Sequence, residues 1–159
     1  GDVQVADAYL AKVVHALTRS PQWPHLALII TFDEHGGLYD HVPPPSACPP
    51  DGLEPEAKDP PGARFDRYGF RVPTIVVSPY ARPGHVSHAI YDHTSVARFI
   101  ETRFRLPALT ARDANADPLM DLFDFSQPAL LTPPSMPDIV IDPQRLAACQ
   151  KRYPLKTGS

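Results

Sequence analysis

Proline is the residue that most limits what this chain can fold into, because 21 of its 159 residues are proline. A proline inside a helix removes a backbone donor and clashes with the preceding turn, so a bundle of long helices is a poor expectation. The hydrophobic fraction of 43% is nevertheless that of a folded globular chain. The sequence therefore predicts a folded domain with short regular elements and long proline-rich loops.

Two short apolar runs have the length and the β-branched content of strands. The first is residues 26–32 (LALIITF), and the second is residues 74–77 (TIVV), directly after Pro73. Such runs are typical of strands buried on both faces of a parallel sheet. We therefore expect a mostly parallel sheet in this chain.

Apolar side chains at three- and four-residue steps indicate two helices. One covers residues 3–17, and Asp2 is suited to cap it. The other covers residues 96–104, with Thr94 or Ser95 as the expected cap. The order helix, strand, long loop, strand, loop, helix predicts the α/β class.

Proline is concentrated in two places that help to define the domain organisation. Residues 43–61 hold eight prolines and predict a long loop. Residues 126–159 are again rich in proline and are expected to form an extended surface tail. We therefore expect one domain over residues 1–125 and a tail over residues 126–159.

Charge and hydropathy exclude two classes of function. The formal net charge of −3 leaves no basic excess for a phosphate backbone, so we do not expect nucleic-acid binding. No apolar run approaches the roughly 20 residues that span a bilayer, so we expect no transmembrane segment. Two cysteines, Cys48 and Cys149, do not define a disulfide scaffold.

The most informative stretch is residues 31–45, TFDEHGGLYDHVPPP. Asp33 and Glu34 directly follow the first apolar run, and open α/β sheets bind ligands beyond the carboxyl ends of their strands. Adjacent carboxylates repel each other, and a divalent cation relieves that repulsion. Gly36 and Gly37 permit a tight turn after them. The alternative interpretation is that the two acids are solvated in a loop or cap a helix.

A second polar stretch, residues 78–95 (SPYARPGHVSHAIYDHTS), follows the second apolar run. Its three histidines and one acid are able to position a phosphate, supply a general acid or complete a metal shell. Each member also has a structural explanation: His85 and His88 as polar loop residues, Asp92 as part of the turn before the helix, and His93 as a donor to a backbone carbonyl in that turn. The spacing of these residues identifies no metal site.

Three blocks of this sequence, TFDEHGGLYDHVPPP, GFRVPTIVVSPYAR and YDHTSVARFIE, resemble in this order the bacterial phosphoesterase family. That family includes the non-haemolytic phospholipases C and related acid phosphatases. The blocks span residues 31–101. The resemblance implies an alkaline-phosphatase-like α/β fold, of which this chain would form a partial sandwich, and metal-assisted hydrolysis of phosphate esters.

The resemblance also implies roles for individual residues. It assigns Asp33 and Glu34 to a divalent metal ion, whose identity stays open. Such an ion would polarise the phosphoryl oxygens, and the site histidines would neutralise the phosphate or protonate the leaving oxygen. The predicted catalytic group consists of three histidines and one acid: His35, His41, Asp92 and His93.

Two parts of the family pattern do not occur in this sequence. One is an early block resembling ENxSFDxYFG, whose Glu-Asn also binds the metal, and the other is a Ser or Thr nucleophile well before the DEHGG block. Only 32 residues precede Asp33. We therefore expect this chain to be the carboxyl-terminal portion of such an enzyme, to work with the missing portion as its partner, and to have little activity alone.

Several alternatives stay open at this point. The substrate is expected to be a phosphate ester or phospholipid, and the activity that of a phospholipase C or, alternatively, of an acid phosphatase. A non-catalytic fragment or metal-binding module is a different possibility, and a proline-rich interaction domain is a weaker one. The resemblance implies export, although the sequence shows no signal segment.

Overall fold

The computed structural model describes residues 2–54, 56, 58–60 and 63–154. The helices and strands in these residues are α1 (Val3–Thr18), β1 (Leu28–Thr31), β2 (Thr74–Val77), α2 (His93–Phe104), α3 (Ala111–Ala114) and α4 (Pro143–Arg152). Short 3₁₀ turns lie at Trp23–His25 and Met120–Leu122. The mixture of helices and strands confirms the α/β class. No helix within the described ranges is long and apolar enough to cross a bilayer.

The chain divides into two compact units. The described part of the first consists of residues 2–26 and 130–154, and the second is Ala27–Ala129. This division differs from the expected boundary after residue 125, because the carboxyl-terminal residues group with α1 instead of forming a separate tail. Within the first unit the indole N–H of Trp23, which is buried, donates to the Leu130 carbonyl at 3.0 Å.

Helix α4 corrects the expectation that residues 126–159 are extended. Asp142 caps this helix, and its carboxylate accepts from the amides of Gln144 at 2.8 Å and Arg145 at 3.2 Å. Pro143 occupies the first helical position, where a proline costs no hydrogen bond. A proline in this segment therefore occupies the start of a helix, and not only positions in loops. Residues 155–159 of the expected tail lie outside the described residues.

Helix α1 forms as the sequence predicts. The carboxylate of Asp2 accepts from the Gln4 amide at 2.8 Å and so satisfies one of the free donors of the first turn. The helix ends at Thr18, shortly before Pro21. The Gln4 side chain in turn accepts from the Asp142 amide at 3.0 Å, which connects α1 to the start of α4.

The two strands pair antiparallel, with Leu28 opposite Val77 and Thr31 opposite Thr74. The expected parallel arrangement is therefore wrong for this pair. A short apolar run indicates a strand but carries no information about its direction relative to a neighbour. The long connection of residues 32–73 returns the chain to the same end of the sheet, so β2 starts where β1 ends. The hydroxyls of Thr31 and Thr74 lie 3.0 Å apart at that end.

Helix α2 begins at a different cap from the one expected. Asp92, and neither Thr94 nor Ser95, is the capping residue: its carboxylate accepts from the amides of Thr94 at 2.8 Å and Ser95 at 3.2 Å. The Ser95 hydroxyl accepts from the Asp92 amide at 3.2 Å, which completes a capping box. Ser95 therefore takes part in the cap, but from the third helical position.

Phe123 belongs to the core of the second unit, with 2% of its surface exposed. Its ring stacks on Phe99 of α2 at a centroid distance of 5.1 Å. The backbone around Phe123 runs beside the segment that follows β2, because the Arg82 amide donates to the Leu122 carbonyl at 3.0 Å. This core therefore fixes α2 against the loop that leads into it.

Candidate functional site

Asp33 and Glu34 lie two and three residues beyond the end of β1. Both side chains are exposed. The Glu34 amide donates to the Asp33 carboxylate at 3.1 Å, and the Glu34 carboxylate lies 3.6 Å from Nδ1 of His35. The sequence thus places two solvent-accessible carboxylates and one imidazole together at the end of a strand.

A tight turn follows these acids. Gly36 and Gly37 have φ of +64° and +74°, in the left-handed region that glycine adopts without a steric cost. The Leu38 amide donates to the His35 carbonyl at 3.1 Å across this turn. The chain therefore reverses direction directly after the acids.

Beyond the turn, Asp40 pairs with Arg71. The guanidinium donates twice to the carboxylate, from Nε at 2.9 Å and from Nη2 at 2.7 Å. These bonds, together with those from the backbone amides of Val42 and Arg71, hold the pKa of Asp40 well below its usual range. Asp40 is thus an ionised acceptor that is already occupied.

The two histidines of this loop have different surroundings. His35 is half-buried and packs edge-on against Phe70, with ring centroids 4.8 Å apart. His41 is exposed and contacts the ring of Tyr39 at 5.1 Å. The structure therefore places His35 beside Glu34 and gives His41 an aromatic neighbour on the far side of the turn.

His93 connects the third block to the first. Its Nε2 lies 2.8 Å from the carbonyl oxygen of Phe32, the residue before Asp33. A carbonyl only accepts, so Nε2 carries the proton and, in the neutral ring, Nδ1 carries the lone pair. His93 is therefore a donor to a backbone carbonyl, but that carbonyl belongs to the first block, TFDEHGGLYDHVPPP, and not to the turn before α2 as the alternative interpretation expected.

Asp92 has a structural role at the start of α2. In addition to the cap, its carboxylate accepts from the Thr94 hydroxyl at 2.5 Å and lies 3.6 Å from the Arg112 guanidinium. These contacts fix the start of α2 and hence His93. A catalytic role for Asp92 stays a prediction.

Asparagine at position 92 separates these two roles. Asparagine caps a helix as well as aspartate does, whereas loss of the cap costs about 1 kcal/mol. We expect Asp92→Ala to lower the free energy of unfolding by about that amount and Asp92→Asn to retain most of it, as measured by urea unfolding. If the purified Asp92→Asn enzyme kept its stability but lost hydrolysis, the result would support a catalytic role for Asp92.

A second polar cluster, which no motif in the sequence indicated, is centred on Asp121. Its carboxylate accepts from the Ser87 hydroxyl at 2.5 Å and from the Tyr91 hydroxyl, and it lies 3.5 Å from Nε2 of His85. Burial opposes ionisation of Asp121, but these hydrogen bonds outweigh it and lower the pKa of the carboxyl. Burial and the adjacent carboxylate raise the pKa of Tyr91 to about 12. The cluster ties the loop before α2 to the 3₁₀ turn at Met120–Leu122.

The chemistry available at the end of β1 fits part of a metal shell. Carboxylate oxygens are ligands that divalent cations accept, and an imidazole suits the borderline ones. Asp33 and Glu34 are open to solvent and lie beside His35. No group of three or more acidic, histidine or cysteine side chains in the described part of the chain is arranged to hold a metal ion. The described residues therefore offer two exposed carboxylates and an imidazole at this point of the chain, and no group of the size that a complete metal site needs.

Comparison with known proteins gives a match over most of the chain. The model of the Phosphoesterase family matches residues 1–107. The chain is 37% identical over 151 residues to non-specific phospholipase C1 of Arabidopsis thaliana, an alignment that covers 87% of the chain and 28% of that protein. It is 37% identical over 163 residues to phospholipase C B of Mycobacterium tuberculosis, covering 94% of the chain and 30% of the relative.

A third relative matches at the same identity. The chain is 37% identical over 149 residues to non-hemolytic phospholipase C of Pseudomonas aeruginosa, covering 82% of the chain and 22% of that protein. The chain thus spans less than a third of the length of these curated relatives.

Proposed function

This chain belongs to the phosphoesterase family, and on that premise we propose that it forms part of a phospholipase-C-like enzyme that hydrolyses phosphate esters. The observation that carries the proposal is the contact between Nε2 of His93 and the Phe32 carbonyl. This contact joins the third block, YDHTSVARFIE, to the first block, TFDEHGGLYDHVPPP, at the end of β1. The names of three relatives, all phospholipases C, favour a phosphodiester of a phospholipid as the substrate.

In this proposal the exposed carboxylates of Asp33 and Glu34 hold a divalent cation. When bound, such a cation polarises phosphoryl oxygens and lowers the pKa of a nucleophile. Two carboxylates leave the cation with ligand positions for other groups and for the phosphate. The nucleophile is not assigned to a residue of this chain.

The histidines supply positive charge and protons in the same proposal. With Nε2 donating to the Phe32 carbonyl, protonation of His93 at Nδ1 gives a cation with a second N–H for an anionic oxygen. His35 lies beside Glu34, a position from which an imidazole can neutralise or protonate an oxygen of the bound ester. His41 is kept as a member of this group on the resemblance alone.

Two further parts of the proposal, on the fold and on the location of the enzyme, are based on membership of the family alone. We propose that β1 and β2 lie within a larger alkaline-phosphatase-like sheet, and that the enzyme is exported. The larger sheet is consistent with a chain that spans 22–30% of the length of these relatives.

The test compares a diester with a monoester. The purified enzyme that carries this chain is assayed with p-nitrophenylphosphorylcholine and with p-nitrophenylphosphate. The assays are repeated after chelation and after addition of Zn²⁺, Mn²⁺ or Ca²⁺. We expect the diester to be hydrolysed faster, the activity to be lost on chelation, and one of the cations to restore it. Faster hydrolysis of the monoester would favour an acid phosphatase, and no hydrolysis of either substrate with any cation would contradict the proposal.

A matched pair of histidine variants tests the site itself. General acid–base groups contribute about 10²–10⁴-fold to a rate, so we expect His93→Ala to lower the rate of diester hydrolysis by at least about 100-fold. His88 is exposed and belongs to the same loop. We expect His88→Ala to leave the rate nearly unchanged. Equal effects of the two substitutions would remove His93 from the site.

A further inference from the structure

The loop of residues 33–42 carries the proposed metal ligands but has little packing of its own. It is mostly exposed, and a Cβ added at Gly36 or Gly37 would meet no neighbouring atom within 4 Å. Two adjacent glycines give the backbone a large conformational freedom. Something outside the turn must therefore hold the loop if Asp33 and Glu34 are to keep one geometry.

Asp40 provides the first contact that holds this loop. Oδ2 accepts from Nε of Arg71 at 2.9 Å and from its backbone amide at 3.1 Å, and Oδ1 accepts from Nη2 of Arg71 at 2.7 Å and from the Val42 amide at 3.0 Å. Four donors fill the acceptor sites of a carboxylate. The side chain of Asp40 is 11% exposed, although that of Arg71 is 70% exposed. Asp40 is thus committed to this contact and is not free to bind a metal.

Phe70 provides the second contact, from the residue adjacent to Arg71. Its ring packs against that of His35 at 4.8 Å, on the other side of the glycine turn. The dipeptide Phe70-Arg71 therefore contacts the loop both before and after the turn. Two residues after Arg71, the Pro73 carbonyl accepts from the Thr31 hydroxyl at 3.2 Å, which joins the segment that follows this dipeptide to the end of β1.

From these contacts we propose that Asp40 and Arg71 are positioning residues for the metal-binding loop. Their bidentate pair holds the loop against the segment just before β2. It thereby fixes the backbone that carries Asp33 and Glu34. The planar guanidinium fork is required, because the ammonium group of a lysine is a single point charge that cannot make two parallel bonds. The role in metal binding rests on the proposed function, whereas the closing of the loop does not.

The test uses Arg71→Lys with Arg64→Lys as its matched control. Arg64 pairs with Glu54 at 2.7 Å in the same long connection, and both of these side chains are exposed. In the metal-free chain we expect Arg71→Lys to lower the backbone amide order parameters of residues 34–41 from rigid values of about 0.85 to below about 0.6. Arg64→Lys should leave these order parameters unchanged. Equal order parameters in the two variants would overturn the proposal.

Mn²⁺ alone is the probe for the ligands. Bound Mn²⁺ broadens the amide resonances of nearby residues, so its binding is read without any hydrolysis. Loss of a residue that orients metal ligands typically costs about 10–100-fold in affinity. We expect Arg71→Lys to need at least about tenfold more Mn²⁺ than the wild type for the same broadening of the Asp33 and Glu34 amide resonances. Its melting temperature should be unchanged. Arg64→Lys should match the wild type in both measurements.

The outcomes separate this inference from the proposed function. If the wild type shows no broadening at Asp33 and Glu34, the metal assignment fails, and the order parameters alone decide whether Arg71 holds the loop. If Arg71→Lys does not fold, Asp40→Asn takes its place. The asparagine keeps the size of the side chain and an oxygen for the Val42 amide, but removes the charge. Order parameters and Mn²⁺ broadening that match the wild type in Asp40→Asn would also overturn the proposal.

Discussion

Asp33→Asn is expected to lower the rate of diester hydrolysis by at least about 100-fold and to weaken binding of the divalent cation. Removal of a single group that stabilises charge in a transition state costs about 10²–10³-fold in rate. The amide is nearly the same size as the carboxylate and keeps an oxygen that can accept from the Glu34 amide, a bond that is 3.1 Å long in the wild type. The substitution therefore removes charge without removing the local backbone contact. Chelator-treated enzyme titrated with each cation gives the affinity, and the diester assay gives the rate.

Asp51→Asn is the control for this substitution. Asp51 lies in the proline-rich loop, and its carboxylate accepts from the Leu53 amide at 3.0 Å, a comparable short-range contact. We expect Asp51→Asn to change neither the metal affinity nor the rate. A wild-type rate and a wild-type metal affinity in Asp33→Asn would show that Asp33 is a solvated loop residue, as the alternative interpretation of the sequence has it.

The regular elements of this chain could be predicted where local physical chemistry determines them. The apolar stripe of α1 and its cap at Asp2 lie within one segment, and so do the β-branched runs that became β1 and β2. The antiparallel direction of the strands could not be predicted in the same way. It depends on the path of the long connection between them, which no property of either run encodes.

The proline-rich carboxyl-terminal residues show that composition alone can also mislead where a local signal is present. The composition of residues 126–159 favoured an extended tail, yet Asp142-Pro143 is a local start signal for α4. This signal is present in the sequence, but the high proline content around it favours the prediction of an extended segment. Position within the segment, and not the number of prolines, decided the outcome.

In the candidate site, too, contacts between sequence neighbours could be predicted and contacts between distant residues could not. Asp33, Glu34 and His35 are neighbours in the sequence and at the end of β1, so the motif alone placed them together. Asp40 and Arg71 are separated by 31 residues, and Tyr91 and Asp121 by 30. Pairs so far apart depend on the tertiary fold, and the sequence offers many other acids and bases as partners.

Phe123→Ala is the substitution with the largest expected effect on stability. Phe123 is 2% exposed and stacks on Phe99 and Phe125, each at a centroid distance of 5.1 Å. Replacing a buried phenylalanine by alanine removes the transfer free energy of the ring and leaves a cavity, which together cost about 3–5 kcal/mol. Urea unfolding followed by circular dichroism measures this difference.

Phe104→Ala is the matched control, because Phe104 is on α2 and 63% of its surface is exposed. Surface substitutions of this kind stay within about 0.5 kcal/mol of the wild type. The comparison also bears on the site, since Phe99 is the residue through which the Phe123 ring supports α2, and α2 carries His93. We therefore expect Phe123→Ala, unlike Phe104→Ala, to loosen the contact between His93 and the Phe32 carbonyl, seen as faster exchange of the amides at the start of α2. A loss of less than about 1 kcal/mol in Phe123→Ala would mean that this ring does not hold the helix in place.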